Sequence, residues 1–548
     1  MHEYFFTPTS APAAPRAASL QTALPGDARI AFLDAGSAAP NTRTSTLENG
    51  EPLRTPSVHG SLSTARTLYW TWVNGQPVAS TSQGALRRLA NSKLDEDRVR
   101  LALCMHLPGF LRQLPYWEGI RTVKPGYGLT FSEGRPILLD PPPAAGEPIS
   151  NLPEAAIAMS AALRDSVQRR ILAGGPVSAD VSGGMDSTSL AFLLDSVQEG
   201  GTFYHASTDD QHNRDSEYAR RAGSELKGRF IELGSLTSTS SAFGEPDQDI
   251  QALDEGPLAW AGNSRHLGAL LRDAAGRGVR THLAGIGGDE LFDPLPAMAL
   301  GLLSTPSWKS GVRILRRLGK MQRWPVLELG RAVAANVDFE TELLRRAHNQ
   351  GGPVTGPGEA FAWAPGFGIS RFATPQAAEV VAHKVREGLD HGVQSHHPDR
   401  FKHQMMESLM FQGEIARQVN HAYGHLGVSW EAPFLDDELV RLVLGLPAEI
   451  LLGARESKPL LARATEGVVP RWVFTREDKG EYSADLFAEY KTKRQELRRL
   501  FEDSYLVDMG HVDPVAIRDA LSMPVTGTEE LFELEHLASI ERWVRRAI

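Results

Sequence analysis

Apolar positions along the chain follow two rhythms, and the change falls near residue 150. Before it, Thr67 to Val73 (Thr-Leu-Tyr-Trp-Thr-Trp-Val) is β-branched and aromatic, as strands are, and Glu96 to Leu103 reads as a helix. Tyr116 to Thr130 holds strand-like pieces between turn residues. After it, strands and helices alternate. The pattern predicts a helix over Glu154 to Leu172, a strand over Val177 to Val181, a helix from Ser187 to Val197 and a strand over Thr202 to Ser207. It continues with a helix from Ser216 to Leu226, a strand from Arg229 to Leu233, a helix from Arg265 to Ala275 and a strand from Val279 to Ala284. This α/β spacing implies a parallel sheet with helices on both faces, whose ligands bind beyond the carboxyl ends of the strands. Residues 295 to 548 read as mostly helical, interrupted by a Gly- and Pro-rich section at 351 to 368, and no internal repeat is visible.

The change of rhythm coincides with Asp140 to Pro148 (Asp-Pro-Pro-Pro-Ala-Ala-Gly-Glu-Pro), the best linker in the chain, which divides it into residues 1–145 and 150–548. Residues 7 to 60 are rich in Ala, Pro, Ser and Thr and are expected to be loosely ordered or short-stranded, with better order from about Thr67. With 57 Lys and Arg against 67 Asp and Glu, the net charge of -10 argues against nucleic-acid binding by bulk electrostatics. The single cysteine, Cys104, excludes an internal disulfide framework and a multi-cysteine zinc site. No signal-peptide pattern and no apolar run of membrane-spanning length is present, so a cytoplasmic protein without membrane contact is expected.

Candidate chemistry enters at the end of the first predicted strand of the second part. Val181-Ser182-Gly183-Gly184-Met185-Asp186-Ser187 places two residues without Cβ atoms where the backbone turns into a helix, so N–H groups point at one anion. Ser182 and Ser187 add hydroxyl donors, and Asp186 is suited to holding magnesium. No Walker Gly-x-x-x-x-Gly-Lys-Ser/Thr occurs. The run instead resembles the pyrophosphate-binding loop of ATP pyrophosphatases, which implies cleavage of ATP between its α and β phosphates. A second loop, Gly285-Ile286-Gly287-Gly288-Asp289-Glu290, follows the strand ending at Ala284, and Asp289 is expected to face Asp186 across the strand ends and share a magnesium ion. Farther on come Ala432-Pro433-Phe434-Leu435-Asp436, Ser457-Lys458-Pro459 and Arg476-Glu477-Asp478-Lys479-Gly480. A cation beside a transferring phosphate is what adenylation requires, and Lys479 is the first candidate, with Lys458 supporting it.

In this order the motifs resemble the asparagine synthetase superfamily, whose synthetase domain matches residues 150–548. Gly119-Ile120 with Pro125-Gly126 is similar to a segment of its amidohydrolase domain. The resemblance implies a degenerate Ntn-amidohydrolase-like N-terminal domain joined to an ATP-pyrophosphatase-type parallel-sheet synthetase domain with a helical C-terminal part. It also implies ATP and Mg2+ as cofactors, Asp186 and Asp289 as magnesium ligands, Lys479 as the catalytic lysine, and Val181, Ser207 and Gly285 beside the nucleotide.

Departures narrow the reading. His2 stands where glutamine-dependent members carry a nucleophilic cysteine, so glutamine hydrolysis is not expected. Ile286 stands where asparagine synthetases carry a Glu and β-lactam synthetases a Tyr, and Ser429 and Glu431 stand at the Glu and Arg of the Glu-x-Arg-x-Pro-Phe-Leu-Asp motif. Asp180 through Ser189 is similar to the lasso peptide cyclase branch, the ATP-dependent macrolactam synthetases. That branch implies a linear core peptide as substrate, with a leader peptidase and a leader-binding protein as partners. A β-lactam or ammonia-dependent asparagine synthetase and a non-catalytic scaffold stay as alternatives. The cluster His391, His396, His397 and His403 reads as a surface loop. Arg313 to Arg323 reads as a helix with a solvated basic face, or else a docking surface for an acidic partner. Glu431, His425 and Tyr423 receive no role.

Overall fold

Strands Val177–Asp180, Thr202–Ala206, Arg229–Leu233 and Thr281–Leu283 alternate with helices Met185–Val197, Asp215–Glu225 and Ser264–Gly276, as the sequence pattern requires. The structure, a computed structural model, describes residues 4–7, 29–32, 58–132, 135–142, 148–207, 213–235, 240–250, 254–293, 295–335, 337–348, 356–452, 457–476, 483–525 and 527–548. Every strand pairing in this sheet is parallel, and a fifth strand, Ser429–Glu431, joins at one edge. Three residues carry no periodicity, so this strand leaves no signal in the sequence. In space the order is Arg229–Leu233, Thr202–Ala206, Val177–Asp180, Thr281–Leu283, Ser429–Glu431. The chain therefore builds outward from the first strand in one direction, then reverses to add the fourth strand on its other side. At such a reversal a crevice opens beyond the carboxyl ends of the two inner strands. Both glycine-rich loops leave from those two strands.

The sheet is held between helices. Helix Leu152–Leu172 starts at Asn151, whose side chain accepts the Glu154 N–H at 3.0 Å, and buries Met159, Leu163 and Val167. Helix Met185–Val197 buries Ser187 through Leu194 without a break, as expected of a helix covered on all sides.

Ahead of it, Arg29–Phe32, Tyr4–Thr7, Gln76–Ser80, Tyr69–Val73 and Arg121–Thr122 form one sheet, and Val58–His59, Gly128–Ser132 and Arg135–Leu139 another. The expected strand at Thr67 to Val73 and helix at Glu96 to Leu103 appear as Tyr69–Val73 and Glu96–Ala102. Most of residues 7 to 60 and the centre of the Pro-rich linker lie outside the described residues.

The last helices do not extend the parallel sheet. Leu534, Leu537 and Trp543 of helix Thr528–Ala547 share a core with Tyr69, Val78 and Leu86 of the N-terminal elements. Buried Glu255 ties the same region to helix Arg400–Tyr423. It accepts from Tyr69 Oη at 3.1 Å, Gln83 Nε2 at 3.2 Å and Arg417 Nε at 3.0 Å. Burial alone would raise the Glu255 carboxyl, but His421, Arg417 and Gln83 outweigh it and hold the pKa below the ordinary range.

Glu535 on the last helix has the opposite balance. Burial and then Glu489 push it up to about 7, against the Gly262 N–H and Arg542. A carboxyl raised on folding stabilises the fold below its unfolded value, and that contribution is lost as pH rises through about 7. Glu535→Gln should therefore raise the melting temperature at pH 8, corresponding to ~1–3 kcal/mol, and change it little at pH 5. Thermal melts at both pH values check this, and an equal shift at both would contradict it.

Candidate active site

The first loop is built from backbone closure and two hydroxyls. The Val181 N–H donates to the Tyr204 carbonyl at 2.7 Å, and His205 Nδ1 lies 2.9 Å from the Val181 carbonyl, which ties the strand end to its neighbour before the turn. Ser182 and Ser187 then close the turn. The Ser182 N–H donates to Ser187 Oγ at 3.1 Å, the two hydroxyl oxygens are 2.7 Å apart, and Ser182 Oγ accepts the Gly184 N–H at 3.1 Å. Gly183 has φ +85°, and a Cβ there would stand 2.3 Å from the Asp215 carbonyl oxygen. Gly184 caps helix Met185–Val197 without a side-chain hydrogen bond, so the first N–H groups of the helix keep no cap partner from its side chain.

The second loop locks into the first. A Cβ on Gly285 would lie 2.6 Å from the Ser187 nitrogen, and one on Gly288 would lie 2.3 Å from Asp186 Cγ. Gly287, at φ +92°, turns the chain into helix Gly288–Phe292, which carries Asp289. Only glycine permits this approach of two backbones.

Between the loops stands Lys458, its side chain 2% exposed. Its Nζ lies 2.7 and 2.6 Å from the two Asp186 oxygens, 2.5 Å from Asp289 Oδ1 and 3.7 Å from Asp293 Oδ2. Asp186 and Asp289 thus meet at one point, with Asp293 added one helical turn after Asp289. Burial pushes Asp186 up to about 7 although Lys458 pulls it down, and Asp289 and Asp293 add to the rise. Burial also works against the Lys458 ammonium, but Asp186, Asp293 and Asp289 overcome it and keep the lysine charged. Above about pH 7, where Asp186 is ionised, three carboxylates around one ammonium leave two surplus negative charges on hard oxygen donors. Asp289 and Asp293, at 49% and 41% side-chain exposure, face open solvent. This donor chemistry fits a divalent cation of the magnesium type.

Arg476 pins the next part of the chain to this centre. Its Nη1 donates to the Gly183 carbonyl at 2.7 Å, its other arm pairs with Asp215, and its guanidinium lies 4.4 Å from the centre of the Tyr218 ring. Lys479, three residues on, lies outside the described residues. Ser207 Oγ donates to the Leu233 carbonyl of the adjoining strand at 3.3 Å. Ile286 is partly buried against the main core. Glu431 pairs with Arg170 at 3.3 Å, and Arg170 also grips Asp436 at 2.8 Å, so a helix supplies a guanidinium to the strand that ends in Glu431.

Sequence reasoning missed Asp293, Arg476 and Asp215. Asp293 is legible in principle as the i+4 neighbour of Asp289. Arg476 and Asp215 are 261 residues apart and give no local signal. The histidine cluster differs from the expected surface loop, because His403 is buried on helix Arg400–Tyr423. His396, His403 and Glu407 converge within 4.8 Å, but they are already bonded to one another and to the chain. His396 Nε2 pairs with Glu407 Oε1 at 2.9 Å, His403 Nδ1 accepts the His396 N–H at 3.1 Å, and Glu407 Oε2 accepts the Gly109 N–H at 2.7 Å. The arrangement ties two segments together.

Two outcomes follow from this geometry. Gly285→Ala drives a methyl group into the Ser187 backbone, so nucleotide affinity should fall at least about tenfold while the protein stays folded. Calorimetric ATP titration with a melting curve checks this, and undiminished binding contradicts it. Because Asp186 keeps a proton below about 7, Mn2+ as a paramagnetic probe should bind roughly tenfold more tightly at pH 8 than at pH 6. A pH-independent affinity would show that the cluster does not hold the ion.

The family model described as Asparagine synthase matches residues 158–545, a span that takes in both glycine-rich loops, Lys458 and most of the final helix. A search of curated proteins finds none that matches the chain. Among the described residues, no helix is long and apolar enough to cross a membrane. The span of the match, laid over the interlocked loops, establishes that the chain belongs to the asparagine synthase family, whose members are ATP-dependent ligases.

Proposed function

We propose that this protein closes the macrolactam ring of a ribosomally made lasso peptide. The observation that carries the reading is an intact charged cluster, Lys458 with Asp186 and Asp289, beside an aliphatic Ile286. The cluster suits activation of a carboxylate by ATP. Ile286 cannot take a proton from a small amine, which disfavours the β-lactam and ammonia-dependent asparagine synthetase alternatives.

In the proposed reaction an Asp or Glu side-chain carboxylate of a linear peptide attacks the α-phosphorus of ATP. The bond to the bridging oxygen breaks and pyrophosphate leaves. The N-terminal amine of the peptide then attacks the acyl carbon, a C–N bond forms, the C–O bond breaks, and AMP departs as the amine loses its proton. Ser182, Gly183, Gly184 and Ser187 cradle the phosphates, with Val181, Ser207 and Gly285 alongside the nucleotide. Asp186 and Asp289 would hold Mg2+, which when bound offsets phosphate charge. Lys458 and Lys479 act as catalytic cations toward the charge that builds on the leaving pyrophosphate. Residues 1–145 serve as a glutaminase-like domain without its nucleophile, and a leader peptidase and leader-binding protein in the cytoplasm supply the linear core peptide.

A non-catalytic scaffold is the alternative of another class, and the presence of Asp186, Asp289 and Lys479 together disfavours it. Purified protein with a linear core peptide and Mg-ATP should yield a product lighter by one water, with AMP and pyrophosphate. Lys479→Ala should lose pyrophosphate exchange while still binding ATP. Formation of ADP, or aspartate and ammonia serving as substrates in place of peptide, would overturn the proposal.

A further inference from the structure

A surface of unusual composition lies outside the two glycine-rich loops and Lys458. Helices Trp308–Met321 and Val326–Ala334 form a hairpin that touches itself where Leu329 Cδ2 comes within 3.3 Å of a Cβ built on Gly319. The sequence expectation of a helix over Arg313 to Arg323 is met as far as Met321, and of its apolar stripe only Ile314 packs against the main core. Ile314, Leu315 and Leu318 are only partly buried, and helix Val326–Ala334 has no buried residue at all.

The second helix carries its own outward apolar face. At 100° per residue, Val326, Gly330, Ala334 and Leu327 fall within an arc of about 100°, with Val333 and Leu329 flanking it beyond Val326 on the side that turns toward the first helix. All four are exposed, and Val326, at 83%, is the most exposed large apolar side chain among the described residues, with Leu327 at 76%. A Cβ on Gly330 would meet nothing within 4 Å, so no internal packing explains a glycine that costs this helix roughly 1 kcal/mol.

Charge gives the second, independent observation. Between Lys309 and Arg331 the chain has seven basic residues and one acid, Glu328, in a protein of net charge -10. All seven are exposed, and none forms an ion pair with a described residue. A second copy of the chain would bring like charges together across a symmetric contact. Nucleic acid offers no apolar stripe. A bilayer would favour bulky side chains where Gly330 and Ala334 leave a notch.

We infer that this hairpin is a docking surface for an acidic amphipathic helix of another polypeptide. The partner's apolar stripe seats in the notch flanked by Val326 and Leu327, and its Asp and Glu residues meet Arg323, Arg331 and Lys320. This inference goes beyond the ligase chemistry and does not depend on it.

The test uses the full chain and two labelled synthetic helices with the same leucine stripe, one flanked by glutamates and one by lysines. The acidic helix should bind at least about tenfold more tightly than the basic one. Val326→Glu with Leu327→Glu should reduce that binding at least about tenfold, with an unchanged melting temperature because both side chains are already in solvent. Equal affinity for the two helices, or full binding by the double variant, overturns the inference. So does retention on phosphatidylglycerol vesicles or duplex DNA without binding of the acidic helix, which would assign the surface to a membrane or to nucleic acid.

Discussion

The buried ammonium of Lys458 is the contact on which the rest of the site depends. A cation withdrawn from water is costly unless its partners surround it, and leaving any one of them unpaired is costly in turn. Here the partners come from separate parts of the chain: Asp186 from the first loop, Asp289 and Asp293 from the second. The close approach is possible because Gly285 and Gly288 have no side chain to place against Ser187 and Asp186. Lys458 itself sits at φ 51°, a left-handed conformation that a lysine adopts only when its surroundings impose it. Sheet order, glycine placement and strained backbone converge on one cluster of charge.

The strand order explains why the cluster forms at this end of the sheet. Val177–Asp180 and Thr281–Leu283 are neighbours although about a hundred residues separate them, and the reversal between them leaves the crevice into which both loops open. The same constraint draws in Arg476, which holds the Gly183 carbonyl and Asp215 together and brings the chain toward the first glycine-rich loop just before Lys479. A site assembled in this way keeps its geometry only while the loops stay in register, which is a form of preorganisation for charge that develops during reaction.

Much of this was legible in the sequence, and the reasons differ by element. The first four strands and their helices alternate with clear apolar periodicity, and the loops Ser182–Ser187 and Gly285–Glu290 consist of residue types with few other uses in that context. Asp186 and Asp289 could be named for that reason, and Lys458, as a support to Lys479, from its place in the order of the motifs. Ser429–Glu431 could not, since a three-residue edge strand has no period. Arg476 with Asp215, Glu255 with Tyr69 and Gln83, and the packing of the last helix on the N-terminal strands are long-range pairings. A pattern read along the chain contains no term for such contacts. The stretch Arg313 to Arg323 was visible as a basic amphipathic stripe, but that helix Val326–Ala334 leaves Val326 and Leu327 in solvent is a fact of tertiary structure alone.

The central claim is that a peptide carboxylate attacks ATP at its α-phosphorus within this cluster. The most direct measurement uses a linear peptide whose acceptor carboxylate carries heavy oxygen, incubated with the protein and Mg-ATP, followed by mass spectrometry of the nucleotide. The account predicts one heavy oxygen in the AMP released for each ring closed, because the carboxylate oxygen stays on phosphorus when the amine displaces it. Ring closure with unlabelled AMP, or with the label in inorganic phosphate beside ADP, would contradict it.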